Sequence, residues 1–403
     1  MFPGNSLPKV RNGDFRRLWT ATTVSALGTW LLIIAVPVHV FQTTGSVLAT
    51  SMALAIEAVP AMLVGPWAGV FVDRWDRRVV LAGASVASAA GIALLLAGGL
   101  AFIYLGLLAE SIAAVFLAPA GRALLPAIVG TGKELANANA LNAFTSGATR
   151  MIGPVAGMAT YVQGGLTLVV VLDMASYLVA AAAAMTIRRP ARRQEPLRHN
   201  VMAELAAGVR YVRGSVFTRK LLVTSWVFWT GNAGLTALLV PFLVHRLGVG
   251  GASLGYLITA LGVGYVVGAV ICRPLLSLAP RVTLMVTGTL TGLCFLVLFN
   301  APSLTVAIVA AFASGIPGTI LSTTIQHAVQ SSVADELMGR VGAAFGVSDA
   351  AAAVAGALAA AVLAPTLGLA VTLNVFSAAV LLTGVSAWAI PAPSIALQRG
   401  GAV

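Results

Sequence analysis

The sequence from residue 65 to residue 78 reads GPWAGVFVDRWDRR. Its second half carries five charges within six residues, although only 9% of the whole chain is charged. Long apolar runs flank the stretch on both sides. A short, mostly basic turn between two apolar runs is typical of consecutive membrane helices joined by a cytoplasmic loop. The stretch therefore predicts a membrane protein and marks one of its loops.

The composition supports this prediction. Hydrophobic residues make up 59% of the 403 residues, and the mean hydropathy is +0.96, which is far more apolar surface than one soluble core hides. A bilayer core requires about 20 apolar residues per helix, and the sequence contains twelve such runs. We therefore predict an all-α membrane protein with twelve transmembrane helices. The first run is long enough to remain as a membrane helix rather than to be removed as a signal peptide.

Lysine and arginine are distributed unevenly along the chain. If the N-terminus is cytoplasmic, 22 of the 24 fall in segments on the cytoplasmic side. This is the positive-inside bias, which predicts that both termini are cytoplasmic. The net charge of +12 is then explained by topology, so nucleic acid is not an expected partner. Cys272 and Cys294 lack metal-ligand spacing, and we expect neither a metal nor a cofactor.

The chain also repeats itself at about half its length. Glu134 and Leu135 recur as Glu336 and Leu337, and three further short matches have offsets between 199 and 202 residues. This offset predicts two parallel six-helix bundles related by an axis along the membrane normal.

The predicted domains are an N-terminal bundle (1–187), a cytoplasmic linker (188–216) and a C-terminal bundle (217–403). The later part of the linker has apolar residues at helical spacing beside Arg210 and Arg213. That pattern predicts an interfacial helix on an anionic leaflet.

Four motifs resemble the major facilitator superfamily, and within it the bacterial enterobactin-exporter-like and macrolide-efflux-like permeases. They are FRRLW from Phe15, TGS from Thr44, the stretch at 65–78, and ELANANALN from Glu134. The resemblance implies a secondary transporter in which an acid and an arginine of the 65–78 loop latch the two halves on the cytoplasmic side. Carried onto this chain, that cytoplasmic gate comprises Gly65, Gly69, Asp73, Arg74, Arg77 and Arg78.

The gate departs from the family pattern at one position, because Asp76 stands where the family usually has glycine. The second half has Cys272 in place of the acid, so the predicted latch is asymmetric. Gly65 and Gly69 are expected to let another helix approach closely. The alternative is that the arginines only anchor the loop on the cytoplasmic side, although anchoring does not require Asp73.

The fifth apolar run carries a second motif. Its residues Gly147, Gly153, Pro154 and Gly157 resemble the antiporter motif of drug exporters, which favours export over import. A tightly packed helix is the alternative explanation of the same glycines.

Charged residues inside apolar runs are costly and are therefore functional candidates. The candidates for proton coupling or substrate binding are Glu57, Glu110, Arg150, Asp173 and Asp349. We predict that Glu110 pairs with Arg150. An acid without a fixed cation nearby is the best proton carrier, so Glu57 and Asp349 are the first candidates for that role. Asp173 has Asn374 as its repeat mate, so a hydrogen-bonding role explains it equally well.

Polar stripes at helical spacing are candidates for lining a cavity, or alternatively for bonding to a neighbouring helix. They comprise Thr22, Ser25, Thr29, Asn142, Ser146, Ser314, Ser322 and Gln326.

No phosphate-binding glycine loop or metal cluster is visible, so we expect neither an enzyme nor an ATP-driven pump. The prediction is a monomeric, proton-coupled exporter of amphiphilic small molecules, drug-like or siderophore-like, in the bacterial cytoplasmic membrane. Its partners are the substrate, protons and membrane lipid. An uncoupled facilitator or an importer of a specific nutrient is the alternative. A transporter-like receptor or a lipid scramblase has no sequence feature in its favour.

Overall fold

The structure is a computed structural model that describes residues 13–130, 132–188, 201–250, 253–275 and 278–391. Within these ranges the backbone forms helices and short connections, and no strand is present. The helices are α1 (Gly13–Thr44), α2 (Val47–Leu63), α3 (Gly65–Arg74), α4 (Arg77–Ala93), α5 (Leu100–Ala114), α6 (Leu117–Val129), α7 (Lys133–Met185), α8 (Val201–Gly214), α9 (Val216–Ala237), α10 (Leu239–Pro241), α11 (Leu254–Leu275), α12 (Pro280–Phe299), α13 (Leu304–Ser332), α14 (Asp335–Leu367) and α15 (Leu369–Trp388).

The described residues contain nine helices that are long and apolar enough to cross a membrane, or ten if one bent pair counts as a single span. That pair joins α9 to Leu239–Arg246, with a bend of 46°. The prediction of an all-helical membrane protein is thus confirmed. Two elements complicate the count of spans, because α2 is short and α7 is very long.

Helix α7 is 53 residues long, which at 1.5 Å per residue is far more than one bilayer requires. Gly165 interrupts it with φ 64° and ψ −164°, a conformation that only glycine adopts readily. The chain therefore changes direction at Gly165, and α7 comprises two consecutive helices. Gly368 has φ 84° and ψ 152° and separates α14 from α15.

The chain divides into two compact units. The first contains the described residues of Met1–Val201 together with those of Gly251–Thr259. Its most extensive helix contact is between α1 and α7. Two apolar clusters form its core: a first cluster around Phe15, Leu18 and Ala184, and a second around Leu32 and Val169.

The second unit contains the described residues of Met202–Gly250 and Ala260–Val403. Here α12 packs against α13 and α15, and α9 packs against α14 and α15. An added Cβ at Gly268 of α11 would lie 3.0 Å from Cα of Ile316 in α13, so these two helices touch through their backbones.

Helix α8 packs on the junction of α13 and α14 within the second unit. The Tyr211 hydroxyl donates a hydrogen bond of 3.1 Å to the carbonyl of Ser332, and Arg340 Nη2 lies 3.9 Å from Glu204 Oε1. An added Cβ at Gly208 would overlap the Arg340 carbonyl. The predicted linker thus contains a helix, while its first part, 189–200, lies outside the described residues.

Candidate functional site

A polar cavity of about 360 Å³ lies in the first unit, between α1, α6 and α7. It borders the first apolar cluster at Leu18, and its lining continues one to two turns further along α1. Its lining comprises Leu18, Thr22, Thr23, Ala26, Leu117, Ala118, Gly121, Arg122, Leu125, Asn139, Asn142, Thr145, Ser146 and Thr149. Hydroxyl and amide groups on an otherwise apolar wall suit an amphiphilic small molecule.

Three of the predicted polar residues, Thr22, Asn142 and Ser146, line this cavity. Their spacing of four on α7 places Asn142 and Ser146 on one helix face, which the sequence pattern could reveal. Thr145, the neighbour of Ser146, accepts a hydrogen bond of 3.0 Å from Trp19 Nε1. The sequence did not single out Thr145, because it falls outside the strict spacing of four.

Arg122 supplies a cation to the lining of the cavity, and the sequence assigned it only to topology. Its Nε donates a hydrogen bond of 3.3 Å to the carbonyl of Ala118. Arg150, a predicted candidate for proton coupling or substrate binding, is not among the described lining residues. Its guanidinium carbon lies 5.9 Å from the ring centroid of Trp30, within the range of a cation–π contact.

A second polar group lies further along α1, where it meets α5 and the second part of α7. The Tyr177 hydroxyl donates a hydrogen bond of 2.6 Å to Glu110 Oε1. The same hydroxyl lies 3.2 Å from Thr29 Oγ1. Glu110 and Tyr177 are only 4% and 1% exposed, so this is a buried polar contact among three helices.

Asp173 lies one helical turn before Tyr177 on α7 and is fully buried. Its Oδ1 accepts a hydrogen bond of 3.1 Å from Ser176, while Oδ2 has no hydrogen-bond partner among the described residues. An added Cβ at Gly28 of α1 would overlap Asp173 Oδ1 and would lie 2.9 Å from Ser176 Cβ. Asp173 is therefore pressed directly against the backbone of α1.

Glu57 of α2 completes a group of three acids, because the carboxyl groups of Glu57, Glu110 and Asp173 lie close enough to repel one another electrostatically. The structure thus brings together three of the four predicted acids. The ion pair between Glu110 and Arg150 stays a prediction, since their described partners are the aromatic residues Tyr177 and Trp30.

The remaining predicted residues of the second unit have local partners. Asp349 of α14 accepts a hydrogen bond of 2.7 Å from Ser225 of α9. Ser314 and Ser322 donate to carbonyls of their own helix, α13. Gln326 is exposed. The bonds of the two serines stay within α13, so both the cavity lining and the alternative of bonding to a neighbouring helix stay predictions.

The glycines of the antiporter-like motif differ from one another in their surroundings. An added Cβ at Gly153 would lie 2.5 Å from Trp30 Cβ, and one at Gly157 would lie 2.9 Å from Leu31 Cα. These two glycines, which flank the buried Pro154, allow α7 to approach α1 closely. Gly147 has no described atom within 4 Å of such a Cβ. Helix packing therefore accounts for two of the three glycines.

The charged loop is held by hydrogen bonds from its arginines. Asp76 caps the N-terminus of α4 by accepting from the backbone N–H of Arg78. The Arg78 side chain forms a bidentate pair with Asp76, with distances of 3.2 and 2.7 Å, and also donates to the carbonyl of Ile187 at 2.8 Å. Arg77 donates to the carbonyl of Ala123 at 3.2 Å.

Asp76, the residue that departs from the family pattern, thus organises this turn. The side chain of Asp73 lies outside what the structure describes, and its latch role stays a prediction together with those of Arg74 and Arg77. Charges of both signs do meet at the start of α4, in the ion pair of Arg78 and Asp76.

The close helix approach predicted at Gly65 and Gly69 is wrong for the described residues. An added Cβ at either position would meet no atom within 4 Å. The chain breaks at Val64, between α2 and α3, so the two glycines lie on a separate ten-residue helix. Gly264 and Gly268 correspond to Gly65 and Gly69 in the second half of the repeat, at an offset of 199 residues. These two glycines do make the expected contact, with α13.

The pair of Asp76 and Arg78 predicts a small dependence of stability on pH. The side-chain hydrogen bond from Arg78 holds the pKa of Asp76 below its ordinary value of 3.8. The resulting stabilisation is present above pH 3.8 and is lost as the pH falls through the lower, folded-state pKa. Because 36% of the Asp76 side chain is exposed, we expect only a few tenths of a kcal/mol from the charge.

Thermal unfolding of Asp76→Asn and Asp76→Ala in detergent micelles measures this contribution. Asparagine keeps the helix cap, so Asp76→Asn should differ from the wild type only above the folded-state pKa of Asp76. Asp76→Ala should lose a further amount of about 1 kcal/mol with the cap. Equal stability of all three proteins at neutral pH would contradict both roles.

Comparisons with known proteins were made for the whole chain. A family model described as "Transmembrane secretion effector" matches residues 5–398. Macrolide efflux protein A of Streptococcus pyogenes is 25% identical over 224 residues, which is 53% of this chain and 55% of that protein. The chain thus spans about half the length of the macrolide efflux proteins it matches. Enterobactin exporter EntS of Escherichia coli (strain HS) is 25% identical over 335 residues, 81% of this chain and 79% of the exporter.

Solved structures of transporters share the fold. The nucleoside transporter NupG has a TM-score of 0.79 at 9% identity, covering 94% of this chain and 100% of its own. A bacterial homologue of the iron transporter ferroportin in an inward-facing state has a TM-score of 0.76 at 15% identity, covering 94% and 99%. At these identities the likeness concerns the fold alone.

Proposed function

Since the chain belongs to the transmembrane secretion effector family of the major facilitator superfamily, we propose that it exports amphiphilic small molecules, drug-like or siderophore-like, by proton-coupled alternating access. The members of this family are transporters, so the prediction that the chain is not an enzyme is confirmed. The observation that carries the proposal is the polar cavity of the first unit, with Arg122 as its described cation.

The proposed topology has twelve spans and cytoplasmic termini in a bacterial inner membrane. Counting α7 as two helices, because Gly165 breaks it, joining α2 to α3, α5 to α6 and α9 to α10, and leaving out the linker helix α8 gives twelve. The distribution of lysine and arginine supports the orientation. The residues 65–78 then lie on the cytoplasmic side, where Asp73 and the neighbouring arginines are proposed to gate the cavity.

The substrate class follows from the cavity and from the relatives. The cavity wall combines apolar side chains with the amide groups of Asn139 and Asn142 and with five hydroxyl groups. A macrolide and the siderophore enterobactin are the substrates that the relatives' names suggest. Arg122 would attract an anionic group of a substrate, since a cation in a partly enclosed polar pocket is a strong recognition element.

The energy source is proposed to be the proton gradient, taken up by the membrane-embedded acids. We expect vesicles that contain the protein and an acid-sensitive dye to report proton movement when erythromycin or enterobactin is added. Replacement of all four acids by amides (Glu57→Gln, Glu110→Gln, Asp173→Asn and Asp349→Asn) should abolish that signal, because a neutral amide binds no proton.

Two outcomes would overturn parts of this proposal. Proton movement that survives in the quadruple variant would exclude coupling through these acids. Substrate that equilibrates across the membrane without any proton signal in the wild type would favour the uncoupled facilitator. A variant that keeps every acid and changes a surface position, Leu48→Ala, controls for loss of protein from the vesicles, since Leu48 is 51% exposed.

A further inference from the structure

We propose that Glu110, Asp173 and Tyr177 form one proton-binding site whose occupancy is passed to α1 through a hydrogen-bond relay of Tyr177, Thr29 and the Ser25 carbonyl. The inference rests on the proposed proton coupling and deepens it, because it names the site and the element that responds. Tyr177 has no charge and no repeat mate among the sequence candidates, so neither charge nor the repeat singles it out.

The position of the group at the border of the second apolar cluster is the first observation. Tyr177 itself belongs to that cluster, together with Leu32 of α1. On α1, Thr29 lies between Leu32 and Leu18 of the first cluster. The polar group is thus buried inside the unit, where a polar contact is worth more than at the surface.

The unpartnered oxygen of Asp173 is the second observation. Asp173 is fully buried, and its Oδ2 has no hydrogen-bond partner among the described residues. An ionised carboxylate in this position has a large desolvation cost, which a bound proton removes. The backbone of α1 at Gly28 covers the other oxygen, because an added Cβ would overlap Asp173 Oδ1. A proton is therefore the ligand that fits.

The groups that face Glu110 come from several helices. Tyr177 faces it from α7, and the charge of Glu110 acts electrostatically on Asp173 of α7 and on Glu57 of α2. Helix α4 contributes backbone, since an added Cβ at Gly91 would lie 2.6 Å from the Glu110 nitrogen. Two close acids that share a buried space favour the binding of at least one proton.

The number of protons that each hydroxyl can donate determines the direction of the hydrogen bonds in the relay. Tyrosine and threonine hydroxyls each have one proton to donate. When Glu110 is ionised, Tyr177 donates to it across 2.6 Å, so Thr29 must be the donor across its 3.2 Å contact with Tyr177. The Ser25 carbonyl, 3.0 Å from Thr29 Oγ1, then no longer accepts a hydrogen bond from Thr29.

Protonation of Glu110 reverses this order. The new Glu110 O–H donates to Tyr177 Oη, the Tyr177 O–H turns to Thr29, and the Thr29 O–H is free for the Ser25 carbonyl. Only the carboxyl gains a proton, and no other O–H bond breaks. A threonine hydroxyl that bonds to the carbonyl four residues earlier tends to bend a helix. The bend would lie beside Ala26, which lines the substrate cavity.

Tyr177→Phe and Thr29→Val each remove one hydroxyl of the relay with little change in volume. Tyr161→Phe is the matched control, because Tyr161 also lies on α7 and its hydroxyl contacts Gln42 and His39 of α1. In liposomes with erythromycin as the probe, both relay variants should lose proton-driven accumulation about tenfold. Exchange of erythromycin at equal pH on both sides should stay within about twofold of the wild type. Tyr161→Phe should match the wild type in both assays.

A measurement without substrate separates this inference from the proposed function. Infrared difference spectra of the purified protein between acid and neutral pH should contain a protonated-carboxyl band that disappears in Glu110→Gln. That band should shift in Tyr177→Phe and stay unchanged in Tyr161→Phe. If the wild type does not accumulate erythromycin but the band shifts, the proposed coupling to this probe fails and the site stands. An unshifted band, or wild-type accumulation in both relay variants, would overturn the relay.

Discussion

Gly28→Val is expected to leave little folded protein, with a loss of stability of about 3 kcal/mol. The first added carbon would overlap both Asp173 Oδ1 and Ser176 Oγ, and valine adds two further methyl groups. The side chain of Asp173 cannot move into solvent, because it is fully buried. Its displacement would also break the hydrogen bond from Ser176 to Asp173. Helices α1 and α7, which form the largest contact of the first unit, would have to separate.

The amount of monodisperse protein after detergent extraction and the midpoint of thermal unfolding measure this effect. Gly147→Val is the matched control, since Gly147 lies on α7 and an added Cβ there meets no described atom within 4 Å. The control should remain within about 0.5 kcal/mol of the wild type. A Gly28→Val protein with a wild-type unfolding midpoint would show that α1 does not approach Asp173 as closely as described.

Gly268→Val is expected to destabilise the second unit by about 2 to 3 kcal/mol. An added Cβ would lie 2.5 Å from the carbonyl oxygen of Ile316 and 3.0 Å from its Cα, and neither is the end of a flexible side chain. Helix α11 would have to move away from α13. Gly69→Val, at the repeat mate of Gly268, should be nearly neutral for folding because its surroundings are open.

Comparing these two variants tests whether glycines at equivalent positions have different packing roles in the two halves. Unfolding midpoints of Gly268→Val and Gly69→Val in the same detergent are the measurement. Equal losses in the two variants would contradict the asymmetry that the structure shows. Transport by Gly69→Val is a separate question, because a gating role of this residue does not depend on the stability of the first unit.

Much of the fold is readable from the sequence, because the hydrophobic effect of the bilayer imposes long apolar runs and the positive-inside bias imposes charged loops. The all-helical class and the family follow from these features and from the motifs. Part of the cavity also follows, since Asn142 and Ser146 share a helix face. A signal for the separate helix of Gly65 and Gly69 was present, because Gly65 and Pro66 follow the break at Val64 directly and proline is favoured in the first turn of a helix.

The contacts across helices were the least predictable part of the site. Glu110 lies on α5 and Arg150 on α7; their described partners are Tyr177 and Trp30, and the ion pair between them stays a prediction. Charge alone suggested the ion pair, whereas the depth and rotation of each helix determine which side chains come into contact. One signal was available for Tyr177: it follows Asp173 by four residues and therefore shares a face with that acid.

The attachment of α8 to the junction of α13 and α14 limits the mechanical freedom of the chain. Because Tyr211 and Gly208 fix this helix to the second unit, the 188–216 segment is not a free tether over its whole length. Between Arg188, the last described residue before this helix, and Val201, its first residue, the chain has thirteen peptide steps. Fully stretched, thirteen peptide steps reach about 45 Å. The covalent chain therefore limits the distance between Arg188 and Val201 to this reach in every conformation of the protein.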